Sequence, residues 1–260
     1  MFLNNTDYFD QHFLIDSQVI NKFIESANLS KNDVVVEIGP GKGQITELIA
    51  PRVKKIICIE LDTRLKPFLK ELQKKHSNIE VIYDSVLSVE IPHCNKIITS
   101  LPYSIVEPFM HKMINTKFDE LLMITGSRFA KGVRDNELSK LALMTNCYFE
   151  SEYIMDIIPS SFKPEPRVVS SMIKLKHNDI NAISNFNLLM FRYMFYFADK
   201  NIKNSLIESL IKIRNITQKQ SKEIINSVNL DKELSEKKFE TCSNEDLLKL
   251  NDIITIIDRN

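Results

Sequence analysis

The chain has 260 residues, 43% of them hydrophobic and 26% charged, a composition typical of a globular protein with one large and one small domain. Its formal net charge is zero, so the overall charge gives no support for a nucleic-acid partner. No apolar run reaches the length of a membrane span, and residues 1–7 lack the basic and apolar regions of a secretory signal. The four dispersed cysteines and five scattered histidines predict reduced thiols in a cytoplasmic protein and no metal site.

Two amphipathic helices are predicted in the first third of the chain. The first runs from about residue 17 to 27, with Asp16 as its N-cap and an apolar face at helical spacing. The second runs from about 63 to 76, and its lysines are expected to lie in solvent. Its buried stripe is predicted to consist of Leu65, Phe68, Leu69 and Leu72.

A glycine-rich turn lies between these helices. It follows a β-branched strand at 34–38, contains three of the chain's five glycines (Gly39, Gly41 and Gly43), and leads into a helix from Gln44 that Pro51 stops. Glycines at such a turn let the backbone approach a ligand closely, although an ordinary crossover without a ligand has the same outline. Glu60, about 20 positions after the glycines at the end of a second strand, stands where an acidic residue binds ribose hydroxyls.

Strands alternate with helices over the next stretch of the chain. Strands are predicted at 79–83, 96–99 and 121–124, with a helix at about 105–114. This alternation predicts an α/β fold with a parallel sheet, in which ligands bind at the carboxyl ends of the strands. One crevice is therefore expected to gather four residues that follow strand ends: Gly39, Glu60, Asp84 and Ser100.

The pattern changes beyond residue 149. Extended stretches at 153–158 and 168–175 flank a proline-rich loop and predict an antiparallel hairpin that completes the sheet. From about residue 179 onward only short helices are predicted, at 188–197, 202–213, 218–228 and 244–257. The expected division is a first domain at 1–178 and a small all-α domain at 179–260.

The tetrapeptide from Ser100 to Tyr103 follows a predicted strand at the crevice and suits a nucleobase with an exocyclic amino group. A reaction at such an amino group requires a base held in line and acceptors for the amino hydrogens. The Ser100 hydroxyl and the Leu101 carbonyl are candidate acceptors, and Tyr103 offers a face for a base to stack on. Phe162, in the proline-rich loop, is a candidate second face. The alternative for each aromatic ring is core packing.

The glycine turn and this tetrapeptide together resemble the KsgA/Erm-type ribosomal RNA adenine dimethyltransferase family, in its small-subunit branch, over nearly the full length. The turn has the E-I-G-P-G-x-G form of the S-adenosylmethionine (SAM) site in Rossmann-like methyltransferases, and the chain lacks both G-x-G-x-x-G and a phosphate loop. The other segments are similar to the family patterns Q-N-F-L-x-D at 11–16, I-E-L-D at 59–62, N-L-P-Y at 100–103 and F-x-P-x-P-[KR]-V-x-S-x-[IV]-x-[KR]-L at 162–175.

The resemblance implies a Rossmann-like SAM-dependent methyltransferase domain, a helical C-terminal domain that contacts RNA, and rRNA adenine as acceptor. It implies that Tyr103 and Phe162 sandwich the adenine, with Ser100 and Leu101 as catalytic acceptors. The residues it implies for the cofactor are His12, Leu14, Gly39, Gly41, Glu60, Asp84, Ser85 and Ser100. The chain departs from the family at Ser100, where the pattern has Asn, at Ser85, where it has Asp, and at 7–10, which is acidic rather than basic.

Three functions follow as expectations. The first is dimethylation of small-subunit rRNA during ribosome assembly, by a cytoplasmic monomer that binds rRNA and no membrane. The second is an RNA-binding assembly factor that has lost catalysis, and the third is an antibiotic-resistance enzyme of large-subunit rRNA. Residues 176–220, with seven Lys/Arg and three Asp/Glu, predict a modest basic face for phosphates, although a solvated helix surface explains these charges nearly as well.

Overall fold

The computed structural model describes residues 11–259, so the acidic stretch at 7–10 lies outside the described residues. The chain forms two compact units. The first comprises 11–131 and Ser151–His177, and the second comprises Gly132–Glu150 and 178–259. The sequence-based division assigned 132–150 to the first domain; it belongs to the second unit because Leu143 and Cys147 pack in the same apolar cluster as Phe191.

The strands and helices follow the predicted order, with several additions. The strands are β1 (Phe13–Leu14), β2 (Val34–Ile38), β3 (Lys55–Ile59), β4 (Ile79–Ile82), β5 (Lys96–Ser100), β6 (Glu120–Gly126), β7 (Phe149–Ile157), β8 (Phe162–Lys163) and β9 (Ser170–His177). The helices are α1 (Ser17–Ser26), α2 (Gln44–Ile49), α3 (Lys66–Lys75), α4 (Val106–Ile114), α5 (Ser127–Arg134), α6 (Lys140–Tyr148), α7 (Phe186–Tyr196), α8 (Ile202–Arg214), α9 (Gln218–Ser227), α10 (Lys232–Glu236) and α11 (Asn244–Arg259).

The main sheet has seven strands in the order β4-β3-β2-β5-β6-β9-β7. The first five of these are parallel, and β9 runs antiparallel to β6. The predicted parallel α/β sheet is therefore confirmed, and the two late extended stretches are neighbours in it. The strand order reverses between β2 and β5, and in such sheets this switch point opens a crevice at the carboxyl ends of the strands.

A second, two-stranded sheet was not expected from the sequence. Leu14 of β1 pairs with Phe162 of β8 in antiparallel register. The Ile15 amide donates to the Ser161 carbonyl at 2.8 Å, and the Ser161 hydroxyl donates to the Asp16 carboxylate at 3.0 Å. The N-terminal segment is thereby fastened to the proline-rich loop, which lies far away in sequence.

The helix predictions were right in outline and wrong in one stripe. Asp16 caps α1 as predicted, since its carboxylate accepts the amides of Gln18 and Val19. The stripe of α3 is buried at Leu65, Leu69 and Leu72, but Phe68 is 47% exposed. Phe68 instead supports Lys42, whose ammonium lies 5.6 Å from the ring centroid. Helices α5, α6 and α10 had no counterpart in the prediction.

The second unit is helical and uses much of its positive charge internally. Arg192 donates to the Cys147 carbonyl at 2.9 Å, Arg214 donates to the Ile257 carbonyl at 2.7 Å, and Lys200 pairs with Glu208 at 3.2 Å. Side chains occupied in this way are less available to phosphate, so the basic face predicted at 176–220 is reduced. Among the described helices none is both long and apolar enough to cross a membrane.

Candidate active site

A pocket at the carboxyl edge of β2, β3 and β5 brings all the candidate site residues together. Its lining includes His12, Leu14, Gly39, Gly41, Glu60, Asp84, Ser85, Ser100, Leu101, Tyr103 and Phe162. It also includes residues that the sequence did not single out for the site, among them Lys42, Leu61 and Ser170. The crevice expected from the strand ends is therefore a real cavity of the first unit.

The three glycines of the turn all have positive φ, but they differ in the space around their missing side chains. A Cβ built on Gly39, at φ +68°, would meet only the Ser100 carbonyl oxygen, 4.0 Å away, so this position faces open space. A Cβ on Gly41, at φ +61°, would lie 2.9 Å from the Phe13 ring, and one on Gly43 would strike Leu72. Only Gly39 leaves room for a ligand, whereas the other two admit neighbouring side chains.

Glu60 ties the glycine turn to the end of β3. Its side chain is 4% exposed and accepts the amides of Gly41 at 3.0 Å and Asp62 at 2.8 Å. Burial raises the pKa of the Glu60 carboxyl, and the two amide bonds oppose that shift. Its position in the pocket lining is compatible with a ribose contact, which stays a prediction.

A second buried carboxyl lies on β2, two residues before Gly39. Glu37 is 3% exposed, and it accepts a 2.6 Å hydrogen bond from the Thr46 hydroxyl of α2. Burial raises the pKa of Glu37 to about 7. The Cys58 thiol lies 3.9 Å from the same carboxyl, and burial followed by the charge of Glu37 raises the pKa of that thiol. The only sequence signal for this cluster is an acidic residue within an otherwise apolar strand.

The polar side chains after β4 stabilise their own turn. The Asp84 carboxylate accepts the Ser85 amide at 2.6 Å, and the Ser85 hydroxyl accepts the Leu87 amide at 3.2 Å. Both residues line the pocket, and Asp84 is the more exposed of the two. Asp84 therefore presents a carboxylate at this edge, one residue before the position of the family's Asp.

The end of β5 is held by the sheet on both sides. Ser100 pairs with Ile124 of β6, and the Leu101 amide donates to the Ile124 carbonyl at 3.1 Å. On the other side, the Thr99 hydroxyl donates to the Ile38 carbonyl at 3.0 Å. The two candidate acceptors, at the last residue of β5 and the first residue after it, are thus both held by backbone pairing with β6.

The two aromatic candidates differ in burial. Tyr103 is half-buried, its hydroxyl lies 2.6 Å from that of Ser170, and its ring is stacked with His12 at a centroid distance of 6.4 Å. Phe162 is only 3% exposed and packs in the apolar core with Leu14, although part of it lines the pocket. Tyr103 thus offers a face to a base, whereas Phe162 combines pocket lining with core packing.

A parallel sheet with a glycine turn after β2 and a pocket at its carboxyl edge is a Rossmann-like architecture, and solved structures of methyltransferases share this fold. The chain is similar to a dimethyladenosine transferase from Plasmodium falciparum, with 21% identity, a TM-score of 0.66, and coverage of 95% of this chain and 98% of that one. It is also similar to the 23S rRNA methyltransferase ErmE, with 25% identity, a TM-score of 0.62, and coverage of 94% and 99%.

Sequence comparison narrows the class to a family. The family model for ribosomal RNA adenine dimethylase matches residues 1–246. A protein from Methanococcus aeolicus, named a probable ribosomal RNA small subunit methyltransferase A, is 34% identical, with coverage of 84% of this chain and 83% of that protein. A protein of the same name from Methanosarcina barkeri is also 34% identical, with coverage of 93% and 85%. The chain belongs to the ribosomal RNA adenine dimethylase family.

Proposed function

We propose that this protein transfers methyl groups from SAM to the N6 amino group of adenine in small-subunit ribosomal RNA. Family membership supports the reaction class, and the names of relatives at 34% identity support the small subunit as substrate. The observation that carries the proposal is one pocket lined by both the open face of Gly39 and the segment from Ser100 to Tyr103.

The residues at the turn suit a nucleoside-type cofactor such as SAM. Gly39 has a left-handed backbone, and the one atom that its missing side chain would meet is the Ser100 carbonyl oxygen at 4.0 Å, so a Cβ there would take up space that a ligand can occupy. Glu60 offers buried carboxylate oxygens for ribose hydroxyls, and Asp84 offers an acceptor for an amino group. His12, Leu14, Gly41 and Ser85 complete the proposed binding set. When bound, SAM supplies an electrophilic methyl group.

The residues at the end of β5 orient the acceptor. The Ser100 hydroxyl and the Leu101 carbonyl accept the two amino hydrogens of adenine, which leaves the nitrogen lone pair directed into the pocket. The half-buried ring of Tyr103 stacks on one face of the base, and Phe162 borders the other face of the base. Because little acid–base chemistry is needed, alignment is the main contribution of these side chains.

The RNA itself requires positive charge near the pocket. Lys163 and Arg167 are exposed in the loop that carries Phe162, and we place phosphate contacts there as well as on the remaining lysines of the second unit. A cytoplasmic monomer that acts on the small subunit or its precursor completes the proposal.

The test is incubation of the purified protein with labelled SAM and undermethylated small ribosomal subunits, followed by mapping of the modified base. We expect dimethyladenine in small-subunit rRNA. The departures from the family at Ser100 and Ser85 favour one competitor, a binding protein without catalysis, which would bind SAM and subunits but transfer no label. Label in large-subunit rRNA would instead indicate an enzyme of the resistance type.

A further inference from the structure

Tyr103 is held at its hydroxyl end by a residue outside the predicted site. The oxygens of Tyr103 and Ser170 lie 2.6 Å apart, a hydrogen bond in which either group can donate. Ser170 is completely buried and lines the pocket. It is the first residue of β9, where the register of the sheet sets it opposite Gly126 of β6. The bond therefore links the segment after β5 to a strand two places away in the sheet.

The ring of Tyr103 is also constrained along its length. Its backbone begins a 3-10 turn directly after Pro102. A Cβ built on Gly126 would lie 3.6 Å from two ring carbons, so the ring runs alongside the backbone of β6. A half-buried aromatic side chain fixed only at its Cβ can move to another rotamer, whereas a bond at the far end resists that movement. Ser170 thus holds the far end of the ring, and the backbone at Gly126 limits rotation of the ring about its long axis.

The next residue provides a natural comparison. Ser171 is as completely buried as Ser170, but its hydroxyl donates to the Asp156 carboxylate at 2.7 Å. Successive residues of a strand point to opposite faces of the sheet. These adjacent serines therefore have different partners, although they are equally buried. Only Ser170 contacts a residue proposed to touch the acceptor.

We propose that Ser170 is a positioning residue for methyl transfer, because it fixes the far end of the Tyr103 ring on which the acceptor adenine stacks. The inference rests on the proposed function. Transfer to a stacked base depends on alignment, and a misplacement of about 1 Å can cost a rate factor on the order of 10². Loss of one bond at the far end of a ring that keeps its other contacts permits a smaller movement. We expect the loss to lower kcat by about 10-fold, with KM for SAM nearly unchanged.

The experiment is a double-mutant cycle with Ser170→Ala, Tyr103→Phe and the combined variant. The readout is kcat with saturating labelled SAM and undermethylated small subunits. Because both changes delete the same bond, each single variant and the combined variant should lose about 10-fold. The control is Ser171→Ala, which deletes an equally buried hydroxyl and should keep the wild-type kcat per folded molecule.

Three results would overturn the inference: a loss of about 100-fold in the combined variant, which is the product of independent effects; an equal loss of kcat in Ser171→Ala; or a wild-type kcat in Tyr103→Phe. The last variant alters the half-buried partner of the bond, so it decides the matter even if Ser170→Ala does not fold. An inactive wild type would instead remove the proposed function, whereas an active wild type with an additive cycle would remove only the role of Ser170.

Discussion

The pocket has two halves that are built differently. The proposed cofactor half is centred on the glycine turn, whose contacts are close in sequence: the Gly41–Glu60 bond spans 19 residues, and the Thr46–Glu37 bond next to the turn spans 9. The proposed acceptor half, comprising 100–103 with Phe162, depends on distant partners, since the Tyr103–Ser170 bond spans 67 residues. Two neighbouring strands and the helix between them can therefore specify the glycine turn, whereas only the assembled sheet specifies the acceptor half.

The largest expected effect is on stability, within the acceptor half. Phe162→Ala should lower the free energy of unfolding by about 3–5 kcal/mol, because it empties a core position, whereas Tyr103→Ala, at a half-buried position, should have a smaller effect on stability and a large effect on methylation. Chemical denaturation and methylation assays on both variants separate the two roles.

A milder change isolates the stacking role of Phe162. Phe162→Leu keeps most of the apolar packing and removes the aromatic face, and Phe109→Leu is its matched control because Phe109 is fully buried and lies outside the pocket lining. If both leucine variants keep the same activity per folded molecule, Phe162 contributes packing alone.

The free energy of unfolding should depend on pH through Glu37, which lies next to the glycine turn. Burial raises the pKa of Glu37 to about 7 from its usual 4.5, so the folded state holds this proton more tightly than the unfolded chain does. The resulting stabilisation is complete below pH 4.5 and is lost as the pH rises through about 7, an effect of about 3 kcal/mol at 1.36 kcal/mol per pKa unit.

The measurement for Glu37 is the free energy of unfolding of the wild type and of Glu37→Gln across this range. Glutamine resembles the protonated acid and does not titrate, so the stability of the variant relative to the wild type should rise with pH by the same amount. A difference that does not change with pH would show that Glu37 stays ionised in the folded protein or that its burial is relieved.

Substitutions of Ser100 test whether its hydroxyl takes part in methyl transfer. Ser100→Ala removes an acceptor for the adenine amino group and should lower kcat by about 10²-fold with little change in KM. Ser100→Asn, which restores the residue of the family pattern, should keep or raise the rate. Single-turnover methylation by the three forms is the measurement, and equal rates for serine and alanine would remove Ser100 from the mechanism.

A substitution of Glu60 tests the proposed contact with the cofactor ribose. Glu60→Gln removes the negative charge that is proposed to accept the ribose hydroxyls, so the affinity for SAM should fall by about 2 kcal/mol, as for a lost charged hydrogen bond. Titration calorimetry measures the loss. The control is Glu47→Gln on the exposed side of α2, where Glu47 pairs with Lys75 at 3.1 Å. Equal affinities of the two variants would contradict the proposed ribose contact.

The smallest expected effect separates two glycines of the turn. Alanine at Gly39 or Gly41 should cost about 1–2 kcal/mol of stability because both have positive φ. Only Gly41→Ala presses on the Phe13 ring, so adding Phe13→Leu should recover part of that loss and none of the loss at Gly39. In SAM titrations Gly39→Ala should be the weaker binder. Recovery of both variants by Phe13→Leu would contradict this assignment.

Local patterns in the amino-acid sequence specify the regular secondary structure, that is, the positions of strands and helices along the chain. Runs of β-branched residues and apolar positions at helical spacing depend only on neighbours along the chain, so the predictions for β2, β5 and α1 agree with the structure to within a residue at each end. The same local signals placed Gly39 and Ser100 at one edge of the sheet, and both line the pocket there.

Only the tertiary structure shows which distant segments pair, because the spacing of apolar residues along the chain carries no information about partners. The β1–β8 pair, the position of β9 between β6 and β7, and the transfer of 132–150 to the second unit all join segments distant along the chain. The burial of Phe162 follows from one of these pairings, and the bond between Tyr103 and Ser170 follows from another. Periodicity shows which face of an element is apolar, but the partner of a side chain depends on which elements become neighbours when the sheet assembles.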